Sequence, residues 1–379
     1  MQKESMTRRE RVLAAVELRE ADRVPIDFGV HFSTGISAFA YKRLREYLGL
    51  KVDKIEVPDH VQMLARVEAD VLERFHVDTI LLNPPVRKFF KWNPRDDYQF
   101  LIPESMQPEL KENGDWVTSR EDKSMRMPVG GYFFDGDWIP VLEYADDDER
   151  VDAYTKSAER IFKETDYFTM QMGFSGYFHG LDHACLMLTD PDEAVRLQEF
   201  VYNENIERAE KMLKTYGKYI QSIEVNSDLG TQHAPYLRPE LYEEFCLPYL
   251  KKFNDFIHRN SDIKIFMHCC GSVEPLIKYL IEAGVDALNP VQISATNMDP
   301  AMLKEKYGKQ ICFWGGGCDT QHTFAKATPG EIRDHVRDLV RIFKPGGGFV
   351  FNQVHNIMGN VPPENIVAMF DAAYEESFY

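Results

Sequence analysis

In the second half of the chain, short apolar runs rich in β-branched and aromatic residues alternate with stretches whose apolar positions recur every third or fourth residue, at a spacing of about 25 to 40 residues. The runs lie at 219–225, 263–268, 285–290, 310–314 and 348–353. Each is apolar enough to be buried on both faces, which predicts strands of a parallel sheet. The intervening stretches read as amphipathic helices. Pro239 opens one, with Leu241, Phe245, Tyr249, Phe253 and Ile257 on a common face and a bend at Pro248. Thr328-Pro329-Gly330-Glu331 forms a capping box ahead of Ile332, Val336, Leu339, Val340 and Phe343. A last helix follows Pro362-Pro363 and carries Ile366, Met369 and Phe370. Five consecutive strand–helix units predict an α/β fold, a (β/α)8 TIM barrel spanning 1–379 as a single domain.

The first half is less regular. Thr7-Arg8-Arg9-Glu10 caps a helix reaching to about Leu18, an N-terminal extension to the barrel. A strand is expected at 24–28, a helix at 60–75 and a strand at 77–82. From about 88 to 148 periodicity weakens while turns and aromatics accumulate (among them Phe89, Trp92, Tyr98, Phe100, Trp116, Tyr132 and Trp138), which predicts an insertion folded over one end of the barrel. Those rings either pack the insertion onto the scaffold or line a flat apolar pocket.

Composition narrows the function. With 61 acidic against 44 basic residues the net charge is -17, and no basic run is longer than a few residues, so nucleic-acid and membrane partners are not expected. The first ten residues are charged and lack the apolar stretch of a secretory signal, which predicts a soluble, cytoplasmic protein. Six cysteines, two of them adjacent, suit reduced thiols acting as core filler or metal ligands.

The polar residues gather where strands end, the face on which barrels carry their sites. His268 and Cys270 are two apart at the exit of one strand, so their side chains point the same way in an extended backbone. Cys318, after the run Gly315-Gly316-Gly317, leaves the strand two further along. An imidazole and two thiolates suit zinc, and three protein ligands leave the fourth position open for chemistry. Cys269 should point into the wall, and Cys185, Cys246 and Cys312 are structural. Asp228 is the best remaining acid at the mouth: it caps a turn, orients substrate, donates a proton or reaches the metal. Asp27, Asn352 and His355 also fall at strand ends, as substrate-binding groups or as ordinary loop residues.

With these residues in place the chain resembles the uroporphyrinogen decarboxylase superfamily, and within it the zinc-dependent, corrinoid-linked methyltransferase branch. The likeness is carried by 7–13 leading into Asp22-Arg23-Val24-Pro25-Ile26-Asp27-Phe28-Gly29, by Asp228-Leu229-Gly230-Thr231-Gln232 with Pro239-Glu240-Leu241-Tyr242, and most specifically by His268-x-Cys270-Gly271 with Cys318. The resemblance implies that His268, Cys270 and Cys318 are the zinc ligands. It also implies a methyltransferase whose corrinoid (cobalamin) arrives on a partner protein, since no Asp-x-His-x-x-Gly segment supplies a cobalt ligand here. An O-demethylase taking the methyl group of a methoxylated aromatic, or a similar small methyl donor, is the expected activity. A coenzyme M-type thiol methyltransferase, a decarboxylase and a non-catalytic zinc-binding barrel are the alternatives. The decarboxylases carry an arginine-rich strand end where 27–32 has none, which argues against an octacarboxylate substrate. A homodimer is an open assembly state.

Overall fold

The computed structural model describes residues 4–83, 88–95, 97–137, 139 and 147–379. Seven strands form one all-parallel sheet in chain order: β1 (Thr79–Leu81), β2 (Phe168–Ser175), β3 (Ser222–Asn226), β4 (Lys264–His268), β5 (Ala287–Asn289), β6 (Cys312–Trp314) and β7 (Phe349–Val350). The expected strand at 24–28 is reduced to a bridge, yet it closes the cylinder. Ile26 pairs in parallel with Phe351; Asp27 N–H donates to the Phe351 carbonyl (2.9 Å), and Asp78 N–H donates to that of Ile26 (2.8 Å). The result is a TIM-barrel-like fold.

Side-chain alternation explains why the strands read as unbroken apolar runs. Phe168, Met170, Phe266, Ala287, Cys312, Trp314 and Val350 share a cluster with Val12, Ala15 and Val16 of the N-terminal helix Arg8–Val16, which plugs the barrel. Their neighbours Ile265, Met267, Leu288, Phe313 and Phe349 belong to the cluster that packs against the outer helices. Both expected capping boxes form, Thr7 with Glu10 and Thr328 with Glu331.

Two expected helices differ. Of 60–75 only Ala69–Arg74 is helical, because the Asp59 carboxylate accepts the N–H groups of Val61 and Gln62, Met63 sits at φ +56°, and Leu64 bridges Ser37 and Asp59. Those commitments leave the segment's backbone no helical partners. The helix opened by Pro239 ends at Phe245, and Leu247–Asn260 begins anew with Pro248 in its first turn. Proline lacks the N–H a continuous helix would need there, so the chain breaks where a bend was expected.

Between β1 and β2, Phe89–Trp92 pairs antiparallel with Phe100–Pro103, and a second antiparallel sheet carries Trp116–Arg120 and Lys123–Met127. Several aromatics here pack the scaffold, and Phe90, Trp92, Phe100 and Trp116 also line a cavity of about 500 Å³. Trp92 and Phe100 are buried, Trp92 meets Trp116 edge-on at 5.4 Å, and Phe39 of helix Ala38–Tyr47 meets Phe100 at 5.0 Å and Tyr132 at 5.4 Å. Trp138 lies outside the described residues. No helix among the described residues is long and apolar enough to cross a membrane.

Candidate functional site

The ends of three adjacent strands lie level: Asn226 of β3 pairs with His268 of β4, which pairs with Asn289 of β5. This register puts the Asn289 side chain against His268. Its Nδ2 donates to the Trp314 carbonyl (3.0 Å), which orients the amide so that Oδ1 faces the imidazole Nδ1 at 2.9 Å. Nδ1 therefore carries the proton, and the Nε2 lone pair is left for a ligand. Nε2 lies 3.5 Å from Cys270 Sγ and 3.7 Å from Asp228 Oδ1. Burial pushes the His268 pKa down to about 4, so the ring is neutral at physiological pH. Burial pushes the Cys270 thiol up, and the nearby Asp228 charge adds to it.

A close glycine contact holds the two loops together. Gly271, at φ +98°, lies so close to Gly230 that an added Cβ would come within 2.3 Å of its backbone. That contact seats the turn after Cys270 on the turn after Asp228. Asp228 Oδ1 accepts the Cys270 N–H (2.9 Å), although the side chain is otherwise exposed. Cys269 is buried in the wall, as expected, as are Cys246 and Cys312, whereas Cys185 is exposed on helix Leu181–Thr189 and fills no core.

His355 is the third member of the cluster. Ligand atoms of His268, Cys270 and His355 all lie within 4.8 Å of one another, a geometry able to hold a metal ion. The residues around His355 are pinned: Val354 N–H donates to the Cys318 carbonyl (3.0 Å), and Asn356 Nδ2 donates to the Phe32 carbonyl (2.6 Å). Cys318, expected as the third ligand, is fully buried and stands outside that group, although its backbone is tied to the His355 loop. Burial pushes the Cys318 thiol up as well.

Asp27 and Asn352 belong to the framework. Asp27 is fully buried, and its carboxylate accepts from Trp314 Nε1 (2.9 Å), Thr79 Oγ1 (2.8 Å) and Val30 N (3.0 Å). Asn352 Nδ2 donates to the Asp27 carbonyl (3.1 Å) across the closing seam. Contrary to the expectation that it binds substrate, Asp27 has its carboxylate taken up by the seam, whereas Asn352 Oδ1 is buried without a hydrogen-bond partner among the described residues.

Sequence reasoning passed over His31 and Glu224. His31 is almost fully buried and stacks on His268, with ring centroids 4.7 Å apart. Its Nδ1 accepts the Ser33 N–H (2.9 Å), which leaves Nε2–H to donate to Glu224 Oε1 at 3.1 Å. Glu224 is buried within β3, and its second oxygen accepts the Gly173 N–H (2.6 Å). Ser33 Oγ donates to Asn289 Oδ1 (2.8 Å), so a chain of hydrogen bonds links Glu224, His31, Ser33, Asn289 and His268. The available signal was an acid inside an otherwise apolar strand, a position where carboxylates stand only when paired.

Beside His31 a cavity of about 140 Å³ opens between the barrel wall and the helices Ala69–Arg74 and Asp147–Glu164. Among the described residues, none of those lining it comes from 88–138.

Comparison with known proteins bears on the same segment. The chain is similar in fold to a methyltransferase from Methanosarcina mazei, with a TM-score of 0.60 at 15% identity, over 98% of this chain and 99% of that one. It is 26% identical over 150 residues to the uroporphyrinogen decarboxylase of Chlorobium phaeobacteroides and 28% identical over 146 residues to that of Psychromonas ingrahamii. These matches cover 38% and 37% of this chain, and the chain spans only 40% and 38% of the length of those two relatives. The profile described as Uroporphyrinogen decarboxylase (URO-D) matches residues 181–376, the stretch that carries Asp228, His268, Cys270, Cys318 and His355. Because that match takes in more than half of the sequence, the chain belongs to the uroporphyrinogen decarboxylase (URO-D) family.

Proposed function

We propose that this chain is a zinc-dependent methyltransferase that moves a methyl group from a methoxylated aromatic to the Co(I) corrinoid of a partner protein. The observation that carries the reading is the presentation of His268: a neutral imidazole whose Nδ1–H is fixed by Asn289 and whose Nε2 faces Cys270 Sγ at 3.5 Å, at the C-terminal mouth of a barrel. An oriented imidazole beside a thiol is a donor set suited to zinc. His268 and Cys270 would hold the ion, with His355 or Cys318 as the third donor. Zinc bound there supplies Lewis acidity toward the oxygen that leaves when the methyl group departs.

The protein's own groups supply the rest. When the methyl carbon–oxygen bond breaks, the oxygen keeps the electron pair and takes its proton from solvent, and Asp228, at the mouth 3.7 Å from His268 Nε2, would orient the departing group. Asn289 acts through His268. Asn289→Ala is expected to weaken zinc binding about 10- to 100-fold, measured by competition with a chromogenic chelator.

The test is a methyl-transfer assay on the zinc-loaded protein with its Co(I) corrinoid partner, comparing methoxybenzenes with small thiols. Phenol release that requires the corrinoid is the expected result. Activity with thiols alone would end the O-demethylase reading. Decarboxylation without corrinoid would place the chain with the activity named for its curated relatives.

A further inference from the structure

The cavity beside His31 is lined by apolar side chains, among them Phe28, Phe32, Leu64, Val67, Ile80 and Ile161. Its volume of about 140 Å³ is close to the ~150 Å³ of an apolar cavity known to take up benzene. It therefore fits one six-membered ring and is far too small for a tetrapyrrole.

The charge of the lining runs against that of the whole molecule. The chain has 61 acidic and 44 basic residues, yet among the described residues the cavity is bordered by Arg66 and Arg160 and by no carboxylate. Both guanidiniums have capacity to spare. Arg66 gives only its Nε to Glu56 (2.7 Å), and Arg160 has its nearest carboxylate, Glu164, at 3.9 Å, with both of those side chains more than 60% exposed. An apolar slot bordered by two arginines and by no carboxylate among the described residues selects a ligand with a flat apolar body and an anionic end. The cavity also shares His31 with the cluster around His268.

We propose that this cavity is a binding site for a single-ring aromatic carboxylate, with the ring against Phe28, Phe32 and Ile161 and the carboxylate at Arg66 and Arg160. As the identity of the substrate, this rests on the methyltransferase reading above; as a binding site, it does not. The ring's substituent would then lie on the His31 side, toward the mouth.

The test is calorimetric titration of the metal-free full chain with 4-methoxybenzoate and with methoxybenzene, which lacks the carboxylate. Saturable, one-site binding of 4-methoxybenzoate is expected, with methoxybenzene at least about tenfold weaker. Arg160→Gln and Arg66→Gln, which alter partly exposed side chains and leave the core intact, should each weaken 4-methoxybenzoate about three- to tenfold and leave methoxybenzene unchanged. Absence of saturable binding, equal affinity for the two probes, or indifference to both arginine variants would overturn the proposal. The titration needs neither metal nor corrinoid. Binding as described, with no methyl transfer in the assay above, would keep the site and refute the methyltransferase reading; methyl transfer without such binding would do the reverse.

Discussion

Replacing Asp78 by alanine is expected to cost about 3–5 kcal/mol of folding stability, read as a fall in the denaturant midpoint. Asp78 is fully buried where the cylinder closes, and it binds two buried cations. Oδ1 accepts from Arg11 Nη1 (2.7 Å), Oδ2 accepts from Arg23 Nη1 (2.8 Å), and Oδ2 also takes the N–H of Ile26, the residue that bridges to Phe351 (2.8 Å). Removing the carboxylate leaves Arg11 with the carboxylates of Asp22 and Glu4 and the buried Arg23 with that of Glu4 alone, and frees the closing segment. Domains are held by about 5–15 kcal/mol in total, so a loss of this size takes a large fraction of the margin. The contrast is Glu375→Gln. Its ion pair with Arg333, at 3.0 Å, joins side chains 51% and 30% exposed, and its loss should cost under about 1 kcal/mol. Equal losses at the two sites would contradict this account of the seam.

The parallel sheet was legible because strands buried on both faces leave continuous apolar runs, and five of them appear in succession after residue 218. The capping boxes were legible because their chemistry is local to four residues. Long-range commitments were not. The segment after Asp59 has a helical apolar rhythm, but the Asp59 side chain and the bridges of Leu64 claim its backbone first. The aromatic insertion could be read as pocket or as packing, and the structure has both: Phe39 of helix Ala38–Tyr47 packs on its rings, while Phe90, Trp92, Phe100 and Trp116 border a cavity.

Half of the site followed from spacing alone. His268 and Cys270 converge because they are two apart at the exit of one strand, and that needs no knowledge of the fold. His355 and His31 reach the same place from the two segments flanking the closing seam, and no local pattern marks which ring turns inward. Asp27 shows the opposite failure. A polar residue at a strand end looks functional in sequence, and here Trp314, Thr79 and Val30 consume it.

The second large effect is on metal content. His268→Ala removes the oriented imidazole of the cluster while Cys270, on the same strand end, stays in place. Zinc should fall from about one ion per chain to a small fraction of that, with the fold kept. The pH dependence of the same binding identifies the partners of His268. His268 has already lost its proton above its pKa of about 4, so it contributes no slope near neutrality. Cys270 and Cys318 are both held above the ordinary thiol range by burial, so each one that binds must release a proton. Log affinity should therefore rise with pH by about one unit per pH unit for each thiolate recruited. A slope of one between about pH 6 and 8 would mean that one thiolate binds the ion, and a slope of two that both Cys270 and Cys318 do.

Zinc titration of the wild type beside His268→Ala, with proton release followed in the same cell, tests the central claim most directly. The account predicts about one tightly held ion per wild-type chain, at least one proton released as it binds, and near-complete loss in the variant. Equal zinc in both proteins, or none retained by the wild type, would contradict it.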